Sequence, residues 1–364
     1  MSRLLRPSAP SVLAVLCVAG LCALGLGGPT GTSAGTSVGA PRLAKAALPA
    51  SCGGKGNRCQ EQVALPGGST LTVFRNVPLS GSATVTHALV VVHGAGRDPV
   101  ATFTGMMTAT AKAGVSDSTM VVAPWFKTNG DHPGKREASW TDDGWKQGDA
   151  AVRPAGLSSF TVMDDLLTTL ASKSRFPKLN WITVVGHSAG GQFVQRYAVF
   201  GLASNRLPGV AFNYVAANPS SYVYFGPARP SGTGFVIPTK GSCKDYDTYK
   251  YGMVGRQGYV AALTPQQALA NYAGRRVTIL NGGADTFDNG DLDTRCGAML
   301  EGTNREVRGA NYLDYMHQLA PGAAHDRIVV PGVDHNHYAL FESPLAAPVL
   351  FGTRQMVGTA IPTT

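Results

Sequence analysis

At 364 residues the chain has room for one large domain or two small ones. Its 44% apolar and 15% charged content excludes an intrinsically disordered protein and fits a well-buried globular one. The formal charge of +9 comes from scattered lysines and arginines, with no basic run and no aromatic–basic interleaving, so it argues for solubility and against nucleic-acid binding.

The first 46 residues read as an export signal followed by a flexible segment. Arg3 and Arg6 precede an apolar stretch from Ser11 to Leu26, and small-residue cleavage sites follow at Val38-Gly39-Ala40 or Ala44-Lys45-Ala46. The apolar run is short for a membrane span and gives way to Gly, Thr and Ser. No stable membrane insertion is expected once the signal is removed; a retained anchor is the second reading. Leu21 before Cys22 speaks against a lipoprotein. The remainder, 47–364, is expected to form a single secreted domain.

Export changes how cysteine reads. Cys17 and Cys22 leave with the signal, and Cys52, Cys59, Cys243 and Cys296 remain. Of the three possible pairings, Cys52–Cys59 closing a Gly-rich loop and Cys243–Cys296 tying two distant loops is preferred. Zinc is disfavoured by the wide spacing of Cys243 and Cys296 and by the lack of a nearby His-x-x-His.

Apolar runs then alternate with helical patterns. Thr70 to Arg75 reads as a strand, and Ala88 to Val92 as a buried one running into His93-Gly94-Ala95-Gly96. Thr102 to Ala113 can form a helix and Met120 to Ala123 a strand. A Gly/Asp-rich loop follows, with Trp125, Trp140 and Trp145 as core residues or, for one of them, a pocket wall. Ser159 to Ser172 sets Phe160, Met163, Leu167 and Leu170 on one helical face.

Trp181 to Val185 reads as a buried strand leading into Gly186-His187-Ser188-Ala189-Gly190, a G-x-S-x-G pattern, with a helix from Gly191 to Phe200 behind it. A serine on so tight a strand-to-helix turn has its hydroxyl pushed clear of the sheet, and the helix start aims free N–H groups at it. Serine alone is a weak nucleophile, so a histidine and an acid are expected elsewhere.

Val210 to Ala216 is a strand. Residues 219–263 lack periodicity yet hold half of the 12 tyrosines, which points to an aromatic insertion packed over the site rather than to disorder. Thr264 to Tyr272 is a helix. The strand Val277 to Leu280 ends in Asn281-Gly282-Gly283-Ala284-Asp285, placing an acid at its carboxyl edge; Asp288 competes but lies farther from the strand end. Arg305 to Leu319 is a helix. The strand Arg327 to Val330 leads to Pro331-Gly332-Val333-Asp334-His335, with His337 close behind and a last helix from Tyr338.

This β–α alternation implies a mostly parallel sheet flanked by helices on both faces. With the elbow and the order Ser188, Asp285, His335, the span from about Ala64 to Phe351 resembles the α/β-hydrolase fold, in arrangement similar to secreted esterases and polyester-depolymerase-like hydrolases. The resemblance implies a nucleophile at Ser188, an acid at Asp285 and a base at His335, whose Pro-Gly-Val-x-His run is favoured over His337. It also implies oxyanion donors at the N–H groups of Ala95 and Ala189, with His93 structural. The implied function is a secreted serine hydrolase of carboxylic esters, small or polymeric, using no cofactor and no metal. A calcium site at Asp285, Asp288, Asp291 and Asp293 fails the loop spacing such sites need. A serine peptidase or amidase on the same fold and a non-catalytic binding module are the alternatives.

Overall fold

A computed structural model describes residues 59–239, 241 and 243–352. The expected export signal and Cys52 lie outside them. Eight strands form one sheet: β1 (Gln60–Ala64), β2 (Thr70–Arg75), β3 (His87–Val92), β4 (Thr119–Pro124), β5 (Trp181–His187), β6 (Ala211–Ala217), β7 (Arg276–Gly282) and β8 (His325–Val330). Their order is β1-β2-β4-β3-β5-β6-β7-β8. Strands β4 to β8 and β3 are parallel; β1 and β2 are antiparallel to each other, and β2 to β4.

The central strands are continuous apolar runs because both faces are covered. Alternation sorts their side chains. Ala88, Val90, Val92, Ile182 and Val184 enter one core with Phe160, Leu167 and Phe193. Leu89, Val91 and Val185 enter the other with Phe103, Met106, Leu340 and Leu350. Each buried Val or Leu contributes on the order of 1.5–3 kcal/mol relative to exposure.

Seven helices serve as landmarks: α1 (Pro99–Lys112), α2 (Ser159–Leu170), α3 (Ala189–Phe200), α4 (Pro265–Ala273), α5 (Arg305–Leu319), α6 (His337–Phe341) and α7 (Ala347–Phe351). The first begins ahead of the expected Thr102, because Asp98 caps it through the Ala101 N–H and Pro99 suits the first turn. The expected last helix is two short ones. Pro344 lacks an N–H and disfavours helical backbone at Ser343, so α6 stops and α7 restarts. Strand β1 escapes periodicity because it is an edge strand with one buried residue in five.

The insertion is packed. Tyr222 stacks on Tyr312 with ring centroids 4.4 Å apart, and Tyr224 lies 5.2 Å from the same ring. The buried Arg229 sits over Tyr224 and donates to the carbonyls of Gly226, Tyr246 and Tyr251. Cys243 and Cys296 are disulfide-bonded, which ties the insertion to the segment after β7. The pairing expected for Cys59 involves Cys52, outside the described residues. Of the two readings of the tryptophans, the core one holds for Trp140 and Trp145, and Trp125 lies half-buried under Lys127 at 4.1 Å. None of the three lines the cavities at the serine.

Candidate active site

The strand order reverses around β3, with β4 on one side and β5 on the other, so a crevice opens at the carboxyl ends of β3 and β5. Ser188 stands there. Its φ of 59° and ψ of −119° are strained for a residue with a side chain, and strain of this kind costs about 1–3 kcal/mol. Glycines make room for it. A Cβ at Gly186 or Gly190 would fall within 3.0 Å of backbone at Gly190 or Val92, and one at Gly191 equally close to the Ala217 carbonyl. The Ser188 N–H donates to that carbonyl at 2.9 Å.

Two loops bring the acid and the histidine together. The Ala284 N–H donates to Val333 O at 2.8 Å and the Gly283 N–H to Val330 O at 2.9 Å. Gly282 is needed because a Cβ there would meet the Val333 carbonyl within 3.0 Å. The zipped loops set His335 Nδ1 2.6 Å from Asp285 Oδ2. A carboxylate oxygen accepts from a ring N–H, which makes Nδ1 the donor in this pair and leaves Nε2 to face away from Asp285. Ser188 and His335 line one cavity of about 220 Å³ together with Ala95 and His337.

The rival residues are engaged elsewhere. Asp288 is exposed and accepts from the Gly290 N–H at 2.8 Å, capping its own loop. His337 lies against Tyr338, with centroids 4.0 Å apart, and its burial among these groups lowers its basicity. Asp293 pairs with Lys250 at 2.7 Å. Among the described residues no group of three or more His, Cys, Asp or Glu is arranged to hold a metal.

Ala189 opens α3, and the first N–H groups of a helix have no intrahelical acceptor. Ala95 sits in the turn after β3, where the Arg97 N–H donates to Gly94 O at 3.1 Å and the Arg97 guanidinium to Ala95 O at 3.0 Å. Both alanines line a second cavity beside Ser188, of about 240 Å³. His93 holds the turn from beneath. Its Nε2 accepts the Phe126 N–H at 3.1 Å, so its Nδ1 is the protonated nitrogen and donates to Gly94 O at 3.0 Å. Burial pulls His93 down to about 4, keeping it neutral. His187 lies against His335 with ring centroids 4.4 Å apart, and its burial holds it well below the ordinary imidazole range.

Three polar neighbours of the site are not singled out by the sequence pattern. Arg305 is fully buried and donates to Asp285 Oδ1 at 3.2 Å, to Ser220 Oγ at 3.0 Å and to Asn289 Oδ1 at 3.1 Å. Arg196 and Gln192 lie on the inner face of α3, where Arg196 donates to Gln192 Oε1 at 3.2 Å. Gln192, Gln195 and Arg196 in a helix expected to be buried behind the elbow are the signal that points to a buried polar network.

No family model matches the chain, and no curated protein matches it. Solved structures do. The chain is similar to a poly(3-hydroxybutyrate) depolymerase from Bordetella parapertussis at 19% identity and a TM-score of 0.57, over 81% of this chain and 90% of that one. It is similar to poly(aspartic acid) hydrolase-1 from Sphingomonas sp. KT-1 at 22% identity and a TM-score of 0.52, over 77% and 95%. With the strand order and the elbow, this likeness establishes the α/β-hydrolase fold.

Proposed function

We propose that the protein is an exported serine hydrolase of carboxylic esters. The observation that carries this reading is the convergence, around one cavity, of Ser188 on its strained elbow and His335 held by Asp285. His335 Nε2 accepts the Ser188 proton as Oγ attacks the ester carbon. Asp285 holds the ring and balances its charge. The N–H groups of Ala95 and Ala189 receive the oxyanion, where they stabilise the transition state more than the ester. His335 then returns the proton to the departing alcohol and activates water to release the acid. The tetrahedral centre needs no metal in this scheme.

Supporting features are the Cys243–Cys296 bond, which suits an oxidising compartment, and the ester-cleaving name carried by the Bordetella neighbour. The test is a fluorophosphonate probe. Ser188 should be labelled, Ser188→Ala should abolish labelling while the protein stays folded, and turnover of short aryl esters should persist in EDTA. Labelling that survives the substitution overturns the assignment. An unlabelled but folded wild type points instead to a binding module.

A further inference from the structure

We propose that the second cavity at Ser188 is a subsite for a carboxylate carried by the substrate, so that the preferred esters are anionic ones. The inference rests on the hydrolase reading for its substrate, not for its binding chemistry.

The cavity of about 240 Å³ is small, and apart from alanines and Leu292 its wall is polar. It offers donors. Gln192 lines it, and Oε1 of Gln192 already accepts from Arg196 at 3.2 Å and from Ser221 Oγ at 3.1 Å. The amide is thereby fixed with its NH₂ as the group left to meet the cavity. Lys146 and Lys250 line the wall and are almost fully buried. Lys146 pairs with Asp143 and donates to Asp142 O at 3.1 Å, leaving one N–H; Lys250 pairs with Asp293 at 2.7 Å, leaving two.

The acceptors there are taken. Asp143 receives Lys146 on one oxygen and Arg295 on the other. Asp293 receives Lys250 and the Tyr251 hydroxyl on Oδ2 and the Arg295 N–H on Oδ1. Asp291 also lines the cavity, but it is exposed, and water screens it. Behind Gln192, Arg196 is fully buried, its Nε has no hydrogen-bond partner among the described residues, and Asp149 and Glu301 oppose its charge only from beyond ion-pair distance. A buried charge without a close partner is costly. Burial first, and Arg196 among the neighbouring charges, pull Lys146 and Lys250 below the ordinary ammonium range. An anion seated between Gln192 and the two lysines adds a closer counter-charge and accepts the unused N–H donors.

The experiment titrates the Ser188→Ala protein with monomethyl adipate and with methyl hexanoate, esters of similar length that differ by the carboxylate. Monomethyl adipate should bind about tenfold more tightly, as expected for a charge-assisted contact, and the ratio should shrink in high salt. Adding Gln192→Glu should erase or invert the preference; this variant keeps an oxygen for Arg196 and so should fold well. Lys250→Gln should reduce it separately. A ratio near one, absence of binding by both esters included, overturns the subsite, as does a preference that survives both substitutions. Turnover of aryl hexanoate and aryl hemiadipate by the Ser188 enzyme separates the two readings. Binding preference without turnover sinks the hydrolase and keeps the subsite; turnover without preference does the reverse.

Discussion

Arg305 Nη1 stands 3.2 Å from Asp285 Oδ1, and both side chains are fully buried. The carboxylate therefore has His335 on one oxygen and a guanidinium on the other. In the proposed mechanism Arg305 touches neither substrate nor serine, and its role is to position Asp285. Removing one member of a buried pair costs about 3–5 kcal/mol, so Arg305→Met should lower the melting temperature. It should also lower kcat for a short ester at nearly constant KM, with Arg305→Lys recovering part of the loss. Equal effects of Met and Lys, or a change confined to KM, would remove Arg305 from this role.

His335, not His337, meets Asp285. His335→Ala should reduce kcat by on the order of 10³ or more. His337→Ala should act mainly on stability, since that ring packs on Tyr338 and beside His187. Steady-state kinetics of the two variants decide the matter, and the reverse ranking would displace the base by two residues.

Glu301 is fully buried and accepts the Tyr222 N–H at 2.9 Å. Burial pushes its carboxyl up to about 8 from 4.5, against the pull of Arg308. Between those values the folded chain keeps a proton that the unfolded chain gives up, so this group weakens folding as pH rises across the window. Glu301→Gln removes that dependence. Melting curves from pH 5 to 8.5 should show the variant gaining a few degrees on the wild type towards the alkaline end. A constant gap across the range would mean that Glu301 does not titrate there.

The Cys243–Cys296 bond closes a 53-residue separation and ties the insertion bearing Lys250 to the segment bearing Asp293 and Arg295. In the chain-entropy model such a link contributes about 4 kcal/mol. The double variant Cys243→Ser, Cys296→Ser should melt lower and lose selectivity at the second cavity before it loses basal turnover. Unchanged melting would show that the link constrains little.

Much of this protein is written locally. Apolar runs such as Ala88–Val92 mark strands buried on both faces, and the helical stripe of Phe160, Met163, Leu167 and Leu170 marks a packed helix, because burial imposes its period on neighbouring residues. The elbow is legible for the same reason: Gly186, Ser188 and Gly190 meet a steric demand within five residues. The serine, acid and histidine follow in an order that the strand succession carries. Three things were decided only by the tertiary structure. The contact between Asp285 and His335, 50 residues apart, is made by loops zipped between β7 and β8, and it falls on the histidine that the Pro-Gly-Val-x-His run favours. The buried Arg305 and Arg196 owe their roles to partners on other elements, and a helical pattern read alone would turn such charges to solvent. The donor wall of Lys146, Lys250 and Gln192 draws on three distant segments. Periodicity records whether a side chain is buried; which long polar side chains meet is set by the packing of elements, and that information resides in no single stretch of the chain.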